Sequence, residues 1–115
     1  MIRGAVLGGD VSKSRSPAIH AAAFRALGVD GEYSRFSVDD AGFAPLVARL
    51  GAEGYDYLNV TIPHKAAAAR LADGRSPLVT TMGAANTLMF RGARRHLRAE
   101  NTDGYGLCTA LADLG

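Results

Sequence analysis

The sequence predicts an α/β fold, a mainly parallel sheet flanked by helices with an antiparallel hairpin near the C-terminus. Short apolar runs alternate with helix-forming stretches about ten residues long, and each run closes on residues that favour turns. Two later runs, by contrast, bracket a glycine and a knot of arginines, the pattern of a hairpin. At 115 residues the chain supports one domain, because globular domains cluster near about 100 to 150 residues. With 48% hydrophobic and 21% charged residues, it lies far from the composition of disordered chains.

The elements follow in order. Ile2 to Leu7 is an apolar run closed by Gly8-Gly9-Asp10, as expected of a buried strand. Ser16 then reads as a helix cap with Pro17 in the first turn, ahead of the alanine-rich run Ala18 to Leu27 and a stop at Gly28. Glu32 to Val38 suits a second strand. Asp39 or Asp40 caps a helix over Phe43 to Leu50, stopped by Gly51. Tyr55 to Thr61 is a third strand, Pro63 opens a helix running to Leu71, and Asp73-Gly74 ends it. Arg75 to Thr81 reads as a loop. Asn86 to Phe90 and His96 to Glu100 form the hairpin, and Tyr105 to Leu114 closes the chain as a helix.

Composition excludes several classes of function. No apolar run reaches the roughly 18 positions of a membrane span, and Met1-Ile2-Arg3-Gly4 lacks the charged start and cleavage site of a signal peptide. The single Cys108 cannot form an internal disulfide, and His20, His64 and His96 are too far apart for metal-ligand spacing. A cytoplasmic, metal-free protein is expected. The net charge is only +2, and most of the excess collects in Arg91, Arg94, Arg95 and Arg98. No aromatic interleaving accompanies that cluster, so a solvated hairpin is preferred to a nucleic-acid surface.

In an open α/β sheet, ligands bind outside the carboxyl ends of the strands. The first such loop carries Ser12, Lys13, Ser14 and Ser16 before a helix N-terminus, a suitable place for a carboxylate or phosphate. The simpler alternative is a capped helix behind a solvated loop. Neither nucleotide motif is completed: Gly8-Gly9-Asp10 does not extend to G-x-G-x-x-G, and no P-loop glycine precedes Lys13. The second loop follows Asn59-Val60-Thr61-Ile62-Pro63-His64-Lys65, where alternation puts Asn59 and Thr61 on one face. Lys65 falls in the first helical turn, which the helix dipole disfavours, so it is either a solvated lysine or one held near a substrate. Asn101-Thr102-Asp103-Gly104 is a third polar cluster. It reads as a capped helix start, with Asp103 or Thr102 as cap, or as the carboxylate partner of a lysine in acid/base chemistry. Gly83-Ala84-Ala85-Asn86-Thr87 adds an amide at a strand start. His20 and His64 read as structural.

Taken in register, Ser14-Arg15-Ser16-Pro17 with His20, the Asn59 to Lys65 segment, Gly83 to Thr87, and Asn101-Thr102-Asp103-Gly104-Tyr105-Gly106 resemble shikimate dehydrogenase. The resemblance covers Ile2 to Leu114 and corresponds to that family's N-terminal, substrate-binding domain. It implies a mainly parallel sheet of about six strands. It also implies oxidoreductase chemistry, 3-dehydroshikimate and NADPH giving shikimate and NADP, a step toward chorismate and the aromatic amino acids. By resemblance, Ser14 and Ser16 hold the shikimate carboxylate, while Asn59, Thr61, Lys65, Asn86 and Asp103 take the ring hydroxyls. Lys65 and Asp103 are the implied catalytic pair.

The resemblance places NADP mainly on a second, Rossmann domain whose glycine-rich loop the chain does not contain, so no cofactor-binding residue is expected among these 115. Removing a companion domain would bare a surface through which two copies could pair. Lys13, Ala21 and Ala85 stand where the family usually has histidine, asparagine and valine, and none of these changes removes an implied ligand. The alternative function is a free-standing module that binds a small hydroxy acid, or a partner, without catalysis.

Overall fold

The computed structural model describes residues 1–114. Eleven elements follow one another: β1 (Ile2–Gly8), α1 (Ser16–Leu27), β2 (Gly31–Ser37), α2 (Asp40–Ala52), β3 (Tyr57–Val60), α3 (Lys65–Leu71), β4 (Gly74–Arg75), α4 (Pro77–Met82), β5 (Thr87–Arg91), β6 (His96–Glu100) and α5 (Thr102–Leu114). The strands form one sheet in the order β2-β1-β3-β5-β6-β4. β1 pairs in parallel with β2 and β3, β4 pairs in parallel with β6, and β5 alone runs against its neighbours. The α/β class, the mainly parallel sheet and the hairpin of β5 and β6 agree with the sequence reading.

Alternation along the strands sorts the two faces. Ala5 and Leu7 of β1 and Leu58 and Val60 of β3 join Phe43, Val47 and Leu50 of α2 in a buried core, completed by Val79 of α4 and Leu88 of β5. The intervening residues, Gly4 and Val6 of β1 with Tyr57 and Asn59 of β3, therefore face the other way. Tyr33 of β2 is on that second face too, since it pairs with Gly4, which pairs with Tyr57. Gly4 is required there: a Cβ would lie 2.4 Å from the Tyr57 ring.

Several local expectations are corrected. The segment expected as a loop, Arg75 to Thr81, contains the end of β4 and most of α4. Ser76 caps α4 by accepting the Val79 N–H at 3.3 Å, with Pro77 behind it. Ser16 does not cap α1: Arg15 is the cap residue and makes no side-chain capping bond. The serine–proline signature thus operates at residues 76–77 and not at 16–17. Pro63 belongs to a turn closed by His64 N–H on Thr61 O at 3.1 Å, and α3 begins at Lys65. Gly51 does not stop α2 but admits Phe90, whose ring would lie 2.5 Å from a Cβ. Asn101, not Thr102 or Asp103, caps α5, accepting the Gly104 N–H at 2.9 Å.

Candidate active site

The sheet order gathers the polar loops. β1, β3 and β6 run in the same direction, so their carboxyl ends share one edge, and antiparallel β5 starts at that edge with Thr87 opposite Asn59. Backbone bonds lock the segments together: Ala85 N–H donates to Lys65 O at 2.9 Å, Val60 N–H to Asn86 O at 2.8 Å, and Asn86 N–H to Glu100 O at 3.1 Å. Asn101, 1% exposed, donates from its amide to Ala84 O at 2.9 Å while capping α5. Three stretches remote in sequence are fixed side by side.

One part of the edge is a cleft of about 420 Å³ lined by Asp10, Ser12, Lys13, Ser14, Ser16 and Thr61, with Val6 and Val11 as its floor. Ser14 Oγ accepts the Ser16 N–H at 3.2 Å, which turns both serines to the start of α1. Hydroxyls, a lysine and helix amides together suit an anion. Asp10 accepts from the Ser12 hydroxyl at 2.7 Å and its N–H at 3.0 Å. Those bonds hold its carboxyl below the usual range, the hydroxyl contributing most.

Lys65, Asp103, Asn59 and Asn86 lie outside that cleft lining. Lys65 Nζ donates to Asp103 Oδ2 at 2.8 Å, with both side chains part-exposed. Asn59 accepts the Tyr33 hydroxyl at 2.8 Å and donates to Thr87 Oγ1 at 3.4 Å. Asn86 donates to Thr102 Oγ1 at 2.7 Å. Burial, then the nearby Tyr57, pushes the Tyr33 phenol well up against the opposing Ser16 side chain, so Tyr33 stays protonated. The same sheet edge thus carries an anion seat, an ammonium–carboxylate pair and two oriented amides, groups able to bind a polyhydroxy acid and move a hydroxyl proton.

Sequence reasoning places Tyr33 only in a strand and Thr87 only in the Gly83 to Thr87 segment, with no site role for either; the register β2-β1-β3-β5 brings both to Asn59. His20 and His64 hold structural places. His20 stacks on Tyr33 with centroids 4.0 Å apart and hydrogen-bonds Tyr57 Oη at 2.6 Å. His64, 1% exposed, stacks on Phe43 at 4.7 Å and donates to Val38 O at 2.6 Å. In the hairpin, Arg95 donates to Gly51 O and Tyr55 O and covers Phe90 at 5.0 Å. Arg98 pairs with Glu100 at 3.1 Å.

Among the described residues, no three His, Cys, Asp or Glu side chains could hold a metal, and no helix is long and apolar enough to cross a membrane. Gly8 and Gly9, at the carboxyl end of β1, serve close packing. A Cβ at Gly8 would lie 2.5 Å from Thr61 Cγ2 and one at Gly9 3.1 Å from Pro63 Cδ. These glycines let β1 approach the turn before α3.

Residues 6–88 match the family described as shikimate dehydrogenase substrate binding domain. The chain belongs to that family. Among relatives of the shikimate dehydrogenase domain, the NADP-dependent shikimate dehydrogenase of Methylobacterium radiotolerans is 41% identical over 109 residues, 95% of this chain and 38% of the relative. The enzyme of the same name from an Acidovorax species is 45% identical over 102 residues, 89% of this chain and 36% of the relative. The solved shikimate 5-dehydrogenase of Thermus thermophilus, in complex with NADP(H) and shikimate, superposes with a TM-score of 0.87 at 34% identity, covering 98% of this chain and 42% of that one. This substrate-binding domain therefore spans well under half the length of the curated relatives it matches.

Proposed function

We propose that residues 1–115 form the substrate-binding domain of an NADP-dependent shikimate dehydrogenase, cytoplasmic and interconverting 3-dehydroshikimate and shikimate. The observation that carries this reading is the Lys65–Asp103 contact of 2.8 Å on the sheet edge that also bears the anion cleft. Ser14 and Ser16, with Lys13 nearby, take the ring carboxylate. Asn59, Thr61, Asn86 and Asp103 take the hydroxyls. Interconverting a secondary alcohol and a ketone moves one hydride and one proton; the nicotinamide exchanges the hydride, and this chain handles the proton. In reduction, the Lys65 ammonium gives its proton to the substrate oxygen and is left as the amine. In oxidation, the amine takes the hydroxyl proton. Asp103 holds the ammonium in line. NADP is held mainly by protein outside these residues, in keeping with the 38% of the relative's length that the chain spans. Two copies pairing through an exposed apolar surface belongs to the same reading.

The carboxylate seat gives the test. Shikimate and its methyl ester are titrated into the chain while amide resonances are followed. The acid is expected to bind saturably with shifts at Ser14 and Ser16, and the ester to bind at least about tenfold more weakly, a loss of about 1.4 kcal/mol. Equal affinity for both, or no binding by a folded sample, would contradict the assignment.

A further inference from the structure

Asn59 and Asn86 are each able to present either a carbonyl or an amine to a substrate, and which one faces the site depends on their neighbours. The Thr102 backbone N–H, which can only donate, reaches Asn86 Oδ1 at 3.0 Å. That oxygen is therefore the acceptor, and Asn86 Nδ2 donates to Thr102 Oγ1 at 2.7 Å. Thr87 Oγ1 lies 3.0 Å from the same Asn86 oxygen. Two oxygens at that distance need a proton between them, so Thr87 donates its only hydroxyl proton there. Its lone pairs then face Asn59 at 3.4 Å, where only an amine is accommodated. Asn59 consequently turns Oδ1 toward Tyr33, which donates to it at 2.8 Å. One backbone N–H in α5 thus fixes the polarity of a chain that crosses β5 and β3 to reach β2.

We infer that Thr87 is a positioning residue: by spending its proton on Asn86, whose orientation the Thr102 N–H sets, it passes that polarity to Asn59, so that both asparagines present amine N–H groups to the substrate. The site therefore reads ring oxygens as acceptors at these two positions and leaves the Asp103 carboxylate as a hydrogen-bond acceptor for a substrate hydroxyl, while Lys65 handles the transferred proton. This deepens the shikimate reading and rests on it. Without the hydroxyl, Asn86 loses one donor and Asn59 loses what distinguishes its two ends, so recognition of the hydroxylated ring weakens while the carboxylate seat is untouched.

The test compares the wild-type chain with Thr87→Val, which keeps the shape, and Thr87→Ser, which keeps the hydroxyl. Two ligands are titrated: shikimate, and cyclohexene-1-carboxylate, which has the carboxylate but no ring hydroxyls. Thr87→Val is expected to lose about tenfold in shikimate affinity and to bind the bare acid as the wild type does; Thr87→Ser is expected to stay within about twofold of wild type for both. Unchanged shikimate affinity in Thr87→Val, or equal weakening toward both ligands, overturns the inference. If the wild type binds neither ligand, the shikimate reading itself fails. The relay is then judged in the free protein, where nuclear Overhauser contacts from the Asn59 amide protons to side chain 87 should be present in wild type and Thr87→Ser and lost in Thr87→Val. Contacts retained in Thr87→Val overturn it.

Discussion

Lys65 Nζ and Asp103 Oδ2 lie 2.8 Å apart although 38 residues separate them in sequence. Lys65 is the first residue of α3 and Asp103 lies in the first turn of α5, so each helix contributes its opening turn to one ion pair. A lysine at a helix start works against the dipole. The carboxylate opposite supplies what that helix does not.

In a protein carrying this domain together with its dinucleotide-binding part, Lys65→Ala is expected to lower kcat by about 10² to 10⁴ and leave the fold intact. Asp103→Asn keeps the shape but loses the charge, and is expected to lower kcat as well. Steady-state rates with circular dichroism as a fold control decide the point. Near wild-type turnover in Lys65→Ala would remove it from the proton step.

Asn101→Ala removes the cap of α5 and the bond to Ala84 O together. An expected loss of about 1 to 3 kcal/mol follows from a lost cap and an unpaired buried group. Urea unfolding measures it. A loss under about 0.5 kcal/mol would mean that the Ala84–Asn86 segment is held without Asn101.

His20 is part-buried, and burial lowers its pKa below the ordinary value near 6.5. Between the folded value and about 6.5 the unfolded chain binds more protons, so its contribution raises stability with rising pH and is lost as pH falls through that window. An NMR titration of the His20 ring is expected to give a midpoint below 6.5; a midpoint above it would place His20 in an environment that stabilises its charge.

Gly4→Ala places a methyl where the Tyr57 ring lies, 2.4 Å away. Overpacking of this kind costs about 1 to 3 kcal/mol, and displacing Tyr57 breaks its bond to His20. Combining Gly4→Ala with Tyr57→Ala is expected to recover part of that loss. Strict additivity in the double mutant would show that the two residues do not compete for space.

The alternation of strands with helices and the polar clusters after β1, β3 and β6 are legible in the sequence because periodicity and turn residues are local. Ser76-Pro77 shows the limit: its signature matches that of Ser16-Pro17, yet only tertiary packing decides which serine caps. Arg75 likewise reaches back to Ala69, Arg70 and Ala72 carbonyls to close α3, a contact with no local pattern. Of the site, Lys65 and Asp103 stand out in sequence as charges at helix starts. Tyr33 does not, and Thr87 does so only as the end of the Gly83 to Thr87 segment, since each acquires its role from the strand register that sets it beside Asn59.

The most direct measurement is a shikimate titration into the isotope-labelled chain, with Lys65→Ala alongside. Saturable amide shifts at Ser14, Ser16, Thr61 and Asp103, weakened in the variant, are the predicted result and place acid seat and proton pair in one site. A folded sample whose resonances stay still under a large excess of shikimate would contradict the account.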